Sequence, residues 1–322
     1  MNLKQPLSYE EQVEKLISHG IIISDKEKVI DILKRVNYYR LTGYALQFRE
    51  KPNKSDYVNG TTFESIYNLY EADEMFRDLL RAYIEKIEVY FRTQISYGFS
   101  MRKCTNQPYD QHYDQNNFYD KKGYNEVFDN FKSKNKRYYK DSLVVKHHKY
   151  YYNNKMPLWV MVELMSFSDL SKLYKAMYIS EKESIANSLG ISYKTLENHL
   201  HCLTVLRNKC AHGARLYNTQ FYPPAILSST FLKKNPTVLN NSLFAYVLVL
   251  LKRLPSKEDK QILIKDINDL VRKYEKNINM ELIGFPDNYL KILNDNCWYF
   301  RLIIMLSLFT FLIVSLIILL LR

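Results

Sequence analysis

The sequence predicts an all-α fold: a helical bundle with N-terminal and C-terminal helical extensions and a C-terminal transmembrane helix. Apolar residues recur at helical spacing in most segments, and no sustained alternation of apolar and polar residues indicates a strand. Several segments open with a Ser or Thr three residues before an acidic residue, which is the spacing of a capping box. With only 8 Gly and 9 Pro in 322 residues, the composition excludes collagen-like and glycine-rich architectures.

Three helices are predicted in the first hundred residues. Each opens with Ser or Thr three residues before Glu and continues with apolar residues at helical spacing. Pro, Asn and Gly residues at 50–60 predict a loop before the third helix. The three helices are expected at 8–20, 24–36 and 61–99.

The helical periodicity fails from about 104 to 155, where Asn, Tyr and Lys dominate. Between 121 and 155 there are ten Lys and Arg residues against three Asp and Glu residues. A charge run is usually a solvated face, and a flexible segment that contacts a nucleic-acid strand is the other interpretation. The sequence therefore predicts a basic irregular insertion at this place.

Regular periodicity returns at Pro157, a residue that suits the first turn of a helix. The remaining helices are expected at 157–167, 180–190, 192–213, 237–253 and 256–278. We accordingly divide the chain into a helical domain at 1–222, a helical extension at 223–296 and a tail at 297–322.

The tail contains an apolar run at 302–321 without a charged residue, Gly or Pro. About twenty helical residues at about 1.5 Å each span about 30 Å, the thickness of a bilayer core. Trp298 and Tyr299 precede the run as interfacial aromatic residues do, and Arg301 and Arg322 bracket it. A buried C-terminal helix is the alternative. We predict a single-pass tail anchor in the cell membrane, with the large N-terminal domain in the cytoplasm.

The charge of the chain favours a polyanionic partner. Lys and Arg number 46 and Asp and Glu 34, which gives a net charge of +12, and the chain contains 28 Tyr. A basic, tyrosine-rich surface suits RNA or an anionic membrane. The four cysteines show no C-x-x-C spacing and no accompanying His pair, so no zinc site is expected.

The predicted helix at 192–213 separates polar from apolar residues. At about 100° per residue its leucines fall on one side. The opposite side collects Asn198, His201, Asn208, His212 and Arg215. Asn208 and His212 are neighbours at i and i+4, whereas Arg207 lies off this stripe on an ideal helix. Such a stripe is either solvated surface or a site in which His, Asn and Arg act together.

The segment Arg207–His212 fits the R-x4–6-H motif of the HEPN superfamily, with the polar Asn208 directly after the arginine. Further segments look like those of the Abi family of bacterial abortive-infection proteins, of the AbiD/AbiF type: 37–44, 69–77, 84–92, 157–167, 170–174 and 207–218. The resemblance covers roughly 5–222. The chain departs from the family pattern at Gly213, where a second His is common, and at Tyr217, where a Trp is common.

The resemblance implies a HEPN-like bundle and a ribonuclease that works without a metal or other cofactor. In such enzymes the RNA 2′-OH attacks its own phosphate and leaves a 2′,3′-cyclic phosphate and a 5′-OH. His212 would supply the proton donor or acceptor, and Arg207 the fixed positive charge beside the phosphate. Asn208 would orient His212 or bind a phosphate oxygen. Because one chain carries one Arg–His pair, the resemblance also implies a homodimer.

Glu85, Glu88 and Arg92 share one face of the long predicted helix at i, i+3 and i+7. They form either a structural row of ion pairs or an electrostatic support for the site at Arg207–His212.

A second candidate for RNA binding lies in the basic insertion. Lys146, His147 and His148 precede three tyrosines at 150–152, a pattern that suits phosphate contacts and base stacking. Arg215 completes the set of candidate RNA-binding residues. A polar loop with one or two packed tyrosines is the alternative interpretation of 146–152.

These observations predict a metal-independent endoribonuclease that acts in abortive infection and is anchored to the membrane through 302–321. The expected partners are RNA, a second copy of the chain, and an antitoxin protein or RNA. The alternative function is a non-catalytic RNA-sensing module whose membrane tail is the toxic effector. Substitution of His212 should abolish toxicity only under the first hypothesis, and deletion of the tail only under the second.

Overall fold

The computed structural model describes residue 3 and residues 5–51 and 56–297. Within them the chain is helical, with three isolated β-bridges and no longer strand, which agrees with the all-α part of the predicted fold class. The α-helices are α1 (Tyr9–Ser18), α2 (Lys26–Arg35), α3 (Tyr38–Ala45), α4 (Phe63–Lys103), α5 (Lys121–Tyr138), α6 (Leu143–Tyr151), α7 (Leu158–Met161), α8 (Phe167–Ala176), α9 (Ile179–Ser188), α10 (Tyr193–Ala211), α11 (Ser229–Lys234), α12 (Leu243–Arg253), α13 (Lys257–Lys273) and α14 (Tyr289–Cys297).

Helix α4 is the central element of the fold. Its 41 residues extend over about 60 Å and pack against α3, α7, α9, α10, α12 and α13. Apolar side chains are buried along its whole length, among them Leu69, Ile84, Phe91 and Phe99. Helix α10 packs against α4, α8, α9 and α12 through its own buried leucines. The core therefore fixes the helix that leads to the predicted site.

Helix starts follow the capping signals in some places and shift by one residue in others. Ser8 caps α1 through a complete capping box, as predicted. Asp25 caps α2 instead of Ser24, because the Ser24 hydroxyl donates to Glu64 at 3.3 Å. Helix α4 is capped by Thr62, one residue later than the sequence indicates. The capping pattern locates a helix start to within a residue, and tertiary contacts select the residue that caps it.

Residues 104–155 contain two helices, α5 and α6, so the prediction of an irregular segment is wrong for most of this part of the chain. Helix α5 buries Tyr124, Val127, Phe128 and Phe131, which have the i, i+3, i+4, i+7 spacing of an amphipathic helix. This face packs against α8. Four apolar positions among many lysines and asparagines are a weak periodic signal, which explains why composition dominated the prediction.

The last described helices complete the same core. Every residue of α12 from Leu243 to Leu251 is buried. Helix α12 begins after Ser242, later than predicted, because the Ser242 hydroxyl caps its first turn. It packs against α4, α10 and α14, and α13 packs against α4, where the Tyr83 hydroxyl donates to Asp266 at 2.7 Å. The apolar core thus continues from the first 222 residues into the residues that follow.

The described residues contain no helix that is both long and apolar enough to cross a membrane. Helix α12 is almost wholly apolar, but its 11 residues extend over only about 16 Å, half of a bilayer core. The longer α4, α10 and α13 carry charged residues along their lengths. The predicted fold class with a transmembrane helix and the predicted single-pass membrane location are therefore wrong for this part of the chain. Residues 302–321, to which the prediction assigned the span, lie outside the described residues.

Candidate functional site

A buried polar cluster links α3 to α4. Asp73 and Arg77 lie one turn apart on α4, are 3% and 4% exposed, and bring Arg77 Nη1 to 2.5 Å from Asp73 Oδ2. The Tyr44 hydroxyl of α3 donates to the same carboxylate oxygen at 2.6 Å. Burial, together with the charge of Asp73, raises the pKa of Tyr44 well above its usual value, so this hydroxyl remains a donor. Tyr44, Asp73 and Arg77 are named the Asp73 cluster below.

The Asp73 cluster also holds the chain that follows α10. The backbone N–H groups of Leu216 and Tyr217 donate to the Asp73 carboxylate at 3.2 and 2.8 Å. The Tyr217 hydroxyl donates to Gln47 at 2.5 Å, which fastens the same segment to the residues after α3. Four donor groups surround one buried carboxylate, so its charge is compensated. The segment that begins four residues after His212 therefore has a fixed position.

Two arginines join α3 to the end of α10 in a reciprocal way. Arg40 donates to the carbonyl of Gly213, and Arg215 donates to the carbonyl of Gly43. The Arg215 guanidinium also lies 5.9 Å from the centre of the Tyr44 ring, in cation–π range. Arg215, predicted to bind RNA, thus makes contacts within the protein that secure the segment next to His212.

Helix α10 ends in a left-handed cap. Gly213 has a φ of +62°, and the N–H of Ala214 donates to the Lys209 carbonyl at 2.9 Å, which is the pattern of a Schellman motif. His212 is the C-cap residue, with an exposed side chain and a backbone N–H that donates to the Asn208 carbonyl at 3.0 Å. The glycine at 213 supplies the backbone conformation that closes the helix.

Arg207 is held from α4. Its Nε lies 3.8 Å from Glu88 Oε2, and its side chain is partly exposed. Glu88 is 12% exposed and accepts a second contact from Arg92 Nη2 at 2.7 Å. Arg92 also donates to the Met165 carbonyl at 3.0 Å. Glu88 therefore connects the central helix to Arg207, while Arg92 fixes Glu88 to the segment before α8.

The polar stripe on α10 contains both structural and exposed residues. The Asn198 amide donates to the Pro224 carbonyl at 3.0 Å, and its oxygen accepts the N–H of Ile226 at 2.7 Å. Asn198 thus fixes the chain that returns along the helix. His201 and Asn208, further along the same face, are exposed and line a groove.

Two surface cavities adjoin α10 and the segment that follows it. The lysine groove, of about 700 Å³, runs between α8 and α10 and is lined by Lys172, Lys175, Lys182, Tyr193, Lys194, Glu197, His201 and Asn208, with others. The arginine cleft, of about 670 Å³, adjoins α3 and is lined by Tyr39, Arg40, Arg49, Gly213 and Arg215, with others. Because Asn208 lines the first cavity and Gly213 the second, His212 lies between them along the chain.

The described part of the chain contains no group of three or more His, Cys, Asp and Glu side chains that could hold a metal ion. Cys104, Cys202 and Cys210 are free thiols. Burial raises the pKa of Cys202 to about 11 and that of Cys210 to about 12, so both stay neutral in the core.

A family model described as Abi-like protein matches residues 31–218, more than half of the chain. The chain belongs to the Abi-like protein family. The family indicates a role in abortive infection, a defence of bacteria against phage. No curated protein and no solved structure matches the chain. The matched residues extend from α2 to just beyond Tyr217, so they include the Asp73 cluster, Glu88 and Arg207–His212.

The second predicted RNA-binding set lies within the family match but away from both cavities. Lys146, His147 and His148 lie on α6, and none of them lines the lysine groove or the arginine cleft. The His147 ring lies 4.9 Å from that of Tyr151, and the neighbouring Tyr150 is 82% exposed. Helix α6 thus presents a basic, aromatic surface of its own.

Sequence reasoning missed the buried pair Asp73–Arg77, which helps to hold this site in place. Asp73 lies in the buried stripe of α4, between Leu69 and Leu80, where helical spacing calls for an apolar residue. An acidic residue in an apolar stripe, with an arginine four residues later, is the signal that identifies a buried pair such as Asp73–Arg77. The sequence did indicate Glu88, either as part of an ion-pair row with Glu85 and Arg92 or as support for Arg207–His212, and Glu88 contacts both Arg92 and Arg207.

Proposed function

We propose that this Abi-like protein is a metal-independent endoribonuclease whose cleavage of RNA carries out the abortive infection response. The proposal rests on one observation: exposed groups at Arg207–His212 belong to a rigidly held backbone. Asn208 and His212 are exposed, while the helix before them and the segment after them are fastened to α3 and α4. Catalysis on a large polymer needs groups that are accessible and fixed in position.

The proposed reaction is an internal transfer at phosphorus. The ribose 2′-oxygen attacks the adjacent phosphorus, and the bond from phosphorus to the 5′-oxygen breaks. The 2′-OH proton leaves and the 5′-oxygen gains a proton, which yields a 2′,3′-cyclic phosphate and a 5′-hydroxyl. His212 performs one of these proton transfers, since histidine exchanges protons readily near neutral pH. Arg207 stabilises the negative charge of the crowded phosphate, because a guanidinium is planar and always charged.

Asn208 has a supporting role in the proposal. It follows Arg207 directly and lies one helical turn before His212, with an exposed side chain. From there its amide orients the imidazole or binds a phosphate oxygen. Asn208→Ala should therefore lower the rate of RNA cleavage less than His212→Ala does.

We extend the proposal to a homodimer in which two Arg–His pairs meet. One chain supplies one such pair, and the partly exposed Arg207 and exposed His212 are accessible to a second copy. Size-exclusion chromatography with light scattering should give twice the 38.5 kDa of the chain. A monomer at every concentration that supports cleavage would contradict the dimer.

The full chain is tested on total cellular RNA in excess EDTA, wild type beside His212→Ala. We expect cleavage by the wild type only, with 5′-hydroxyl and cyclic phosphate ends. Equal cleavage by both proteins, or cleavage that EDTA abolishes, contradicts the proposed reaction.

His19 offers a matched control. It is the C-cap residue of α1 and precedes Gly20, whose φ is +91°, just as His212 caps α10 before Gly213. His19→Ala therefore removes an imidazole from the same local structure on another surface. It should leave cleavage unchanged.

A further inference from the structure

The lysine groove is strongly positive. Its lining contains four lysines, Lys172, Lys175, Lys182 and Lys194, and one carboxylate, Glu197. Glu197 is engaged by Lys182 at 3.0 Å, and Lys172 pairs with Glu126. In the described part of the chain, Lys175 and Lys194 form no ion pair with a carboxylate. The groove therefore retains positive charge for a ligand.

Two aromatic side chains line the groove together with these lysines. Tyr193 is half-buried at the start of α10, with the Lys182 ammonium 5.4 Å from its ring centre. His201 lines the groove two turns later. Burial lowers the pKa of His201, and the charge of Lys175 lowers it further, so both effects favour the neutral ring. The groove thus combines cations with a phenol and an imidazole.

The groove leads towards His212. Lys194, His201 and Asn208 line it at intervals of seven residues, and therefore lie on one face of α10. From Lys194 to Asn208 this face extends over about 21 Å. His212 follows Asn208 by one more turn and lies at the end of the helix.

We propose that the lysine groove is the binding site for a single-stranded segment of the RNA substrate, adjacent to the bond that is cleaved. This inference rests on the proposed function and adds the path of the strand. Lys175, Lys194 and Lys172, whose pair with Glu126 is open to solvent, contact phosphates of the strand, and Tyr193 and His201 contact bases. The strand then reaches Asn208 and His212.

A single strand fits these features better than a duplex. In a duplex the base faces are stacked inside, so Tyr193 and His201 have nothing to contact. An unpaired strand exposes both phosphates and base faces, the combination that basic aromatic grooves bind. The groove volume of about 700 Å³ also suits a short stretch of one strand.

The test measures binding with the full chain carrying His212→Ala, so that cleavage does not consume the probe. A labelled oligouridine is titrated by fluorescence anisotropy at several salt concentrations. The combined substitution Lys172→Gln, Lys175→Gln and Lys194→Gln should raise Kd at least about tenfold. The slope of log Kd against the logarithm of the salt concentration should fall by about 2, because each of the three phosphate contacts on a single strand contributes about 0.7. Lys182 is left intact because it is buried and paired with Glu197.

Two further variants keep the result interpretable. Lys28→Gln, Lys265→Gln and Lys276→Gln together remove the same charge from exposed sites outside the groove and should leave Kd nearly unchanged. Replacing Lys172, Lys175 and Lys194 by Arg keeps the three positive charges and should give a Kd close to that of the protein with the three lysines. An unchanged Kd in the groove variant, or an equal rise in the control variant, overturns the groove assignment. Equally tight binding of a duplex overturns the preference for a single strand.

The nuclease proposal can fail separately. Loss of binding in the groove variant, together with no cleavage by the wild type, would retain the groove as an RNA site and reject the ribonuclease. Cleavage by the wild type with unchanged binding in the groove variant would retain the enzyme and reject the groove.

Discussion

The Asp73 carboxylate accepts a hydrogen bond from the backbone nitrogen of Tyr217 at 2.8 Å, a contact between residues 144 positions apart. Asp73 lies on the central helix, and Tyr217 lies five residues beyond His212. A buried charge on one helix therefore holds the backbone next to the exposed imidazole. The same carboxylate binds Tyr44 and Arg77, so α3, α4 and the end of α10 meet at one point.

Asp73→Asn should destabilise the protein severely. The substitution leaves the Arg77 guanidinium buried without its counter-charge, a loss of about 3–5 kcal/mol in the free energy of unfolding. Urea unfolding followed by circular dichroism measures it. Asp78→Asn on the same helix removes an exposed pair with Arg81 and should cost at most about 1 kcal/mol. Similar losses in both variants would contradict the role given to Asp73.

Gly213→Ala should destabilise the end of α10. An added Cβ would lie 3.5 Å from Arg40 Nη1, an ordinary contact, so the penalty is that of the positive φ. An alanine in the left-handed backbone conformation lowers the free energy of unfolding by about 1–2 kcal/mol. Gly213→Asn should cost less, because asparagine tolerates this conformation. Urea unfolding compares the two variants, and an alanine as stable as wild type would contradict the helix-capping role.

Glu88→Gln should lower the rate of RNA cleavage with little loss of stability. The amide keeps the shape of the side chain but removes the charge that attracts Arg207 and Arg92. We expect kcat/KM to fall about tenfold, equivalent to about 1.4 kcal/mol. Glu85→Gln, one turn earlier and exposed, is the matched control and should retain full activity. If kcat/KM falls only because KM rises, with kcat unchanged, Glu88 does not position Arg207 for the reaction.

The free energy of unfolding should fall as the pH decreases from about 6.5 to about 4, and His199 should contribute to the fall. His199 is 2% exposed, and burial lowers its pKa to about 4. Its Nε2–H donates to the Ile226 carbonyl at 2.9 Å, while Nδ1 is buried without a partner among the described residues. The unfolded chain takes up the proton at about pH 6.5, before the folded chain does, so stability is full above that pH and is lost below it.

Protonation of His199 should lower the free energy of unfolding by about 3 kcal/mol between about pH 6.5 and about pH 4. Urea unfolding of wild type and His199→Gln at pH 7.5 and pH 4.5 isolates it, since glutamine offers a donor to Ile226 but does not titrate. A wild-type curve that falls no more steeply than that of His199→Gln would assign the pH dependence to other groups.

Local sequence signals predicted much of α1, α10 and α13. Ser8, Ser192 and Ser256 cap these helices, and each signal involves residues within one turn. The signals failed where a distant residue competed, as when Glu64 accepts the Ser24 hydroxyl and leaves Asp25 to cap α2. They also failed at α5, whose buried face contains only four apolar residues in a lysine-rich segment.

By itself, the sequence determined the helical class and the spacing of Arg207, Asn208 and His212 near the end of one helix. Those properties depend on neighbours three or four residues apart, which a periodic pattern records. Only the tertiary structure decided that Glu88 contacts Arg207, that Asp73 holds Tyr217, and that lysines of three helices line one groove. Such contacts join residues far apart in the chain, and their energy comes from burial and charge compensation in the folded core rather than from local propensity.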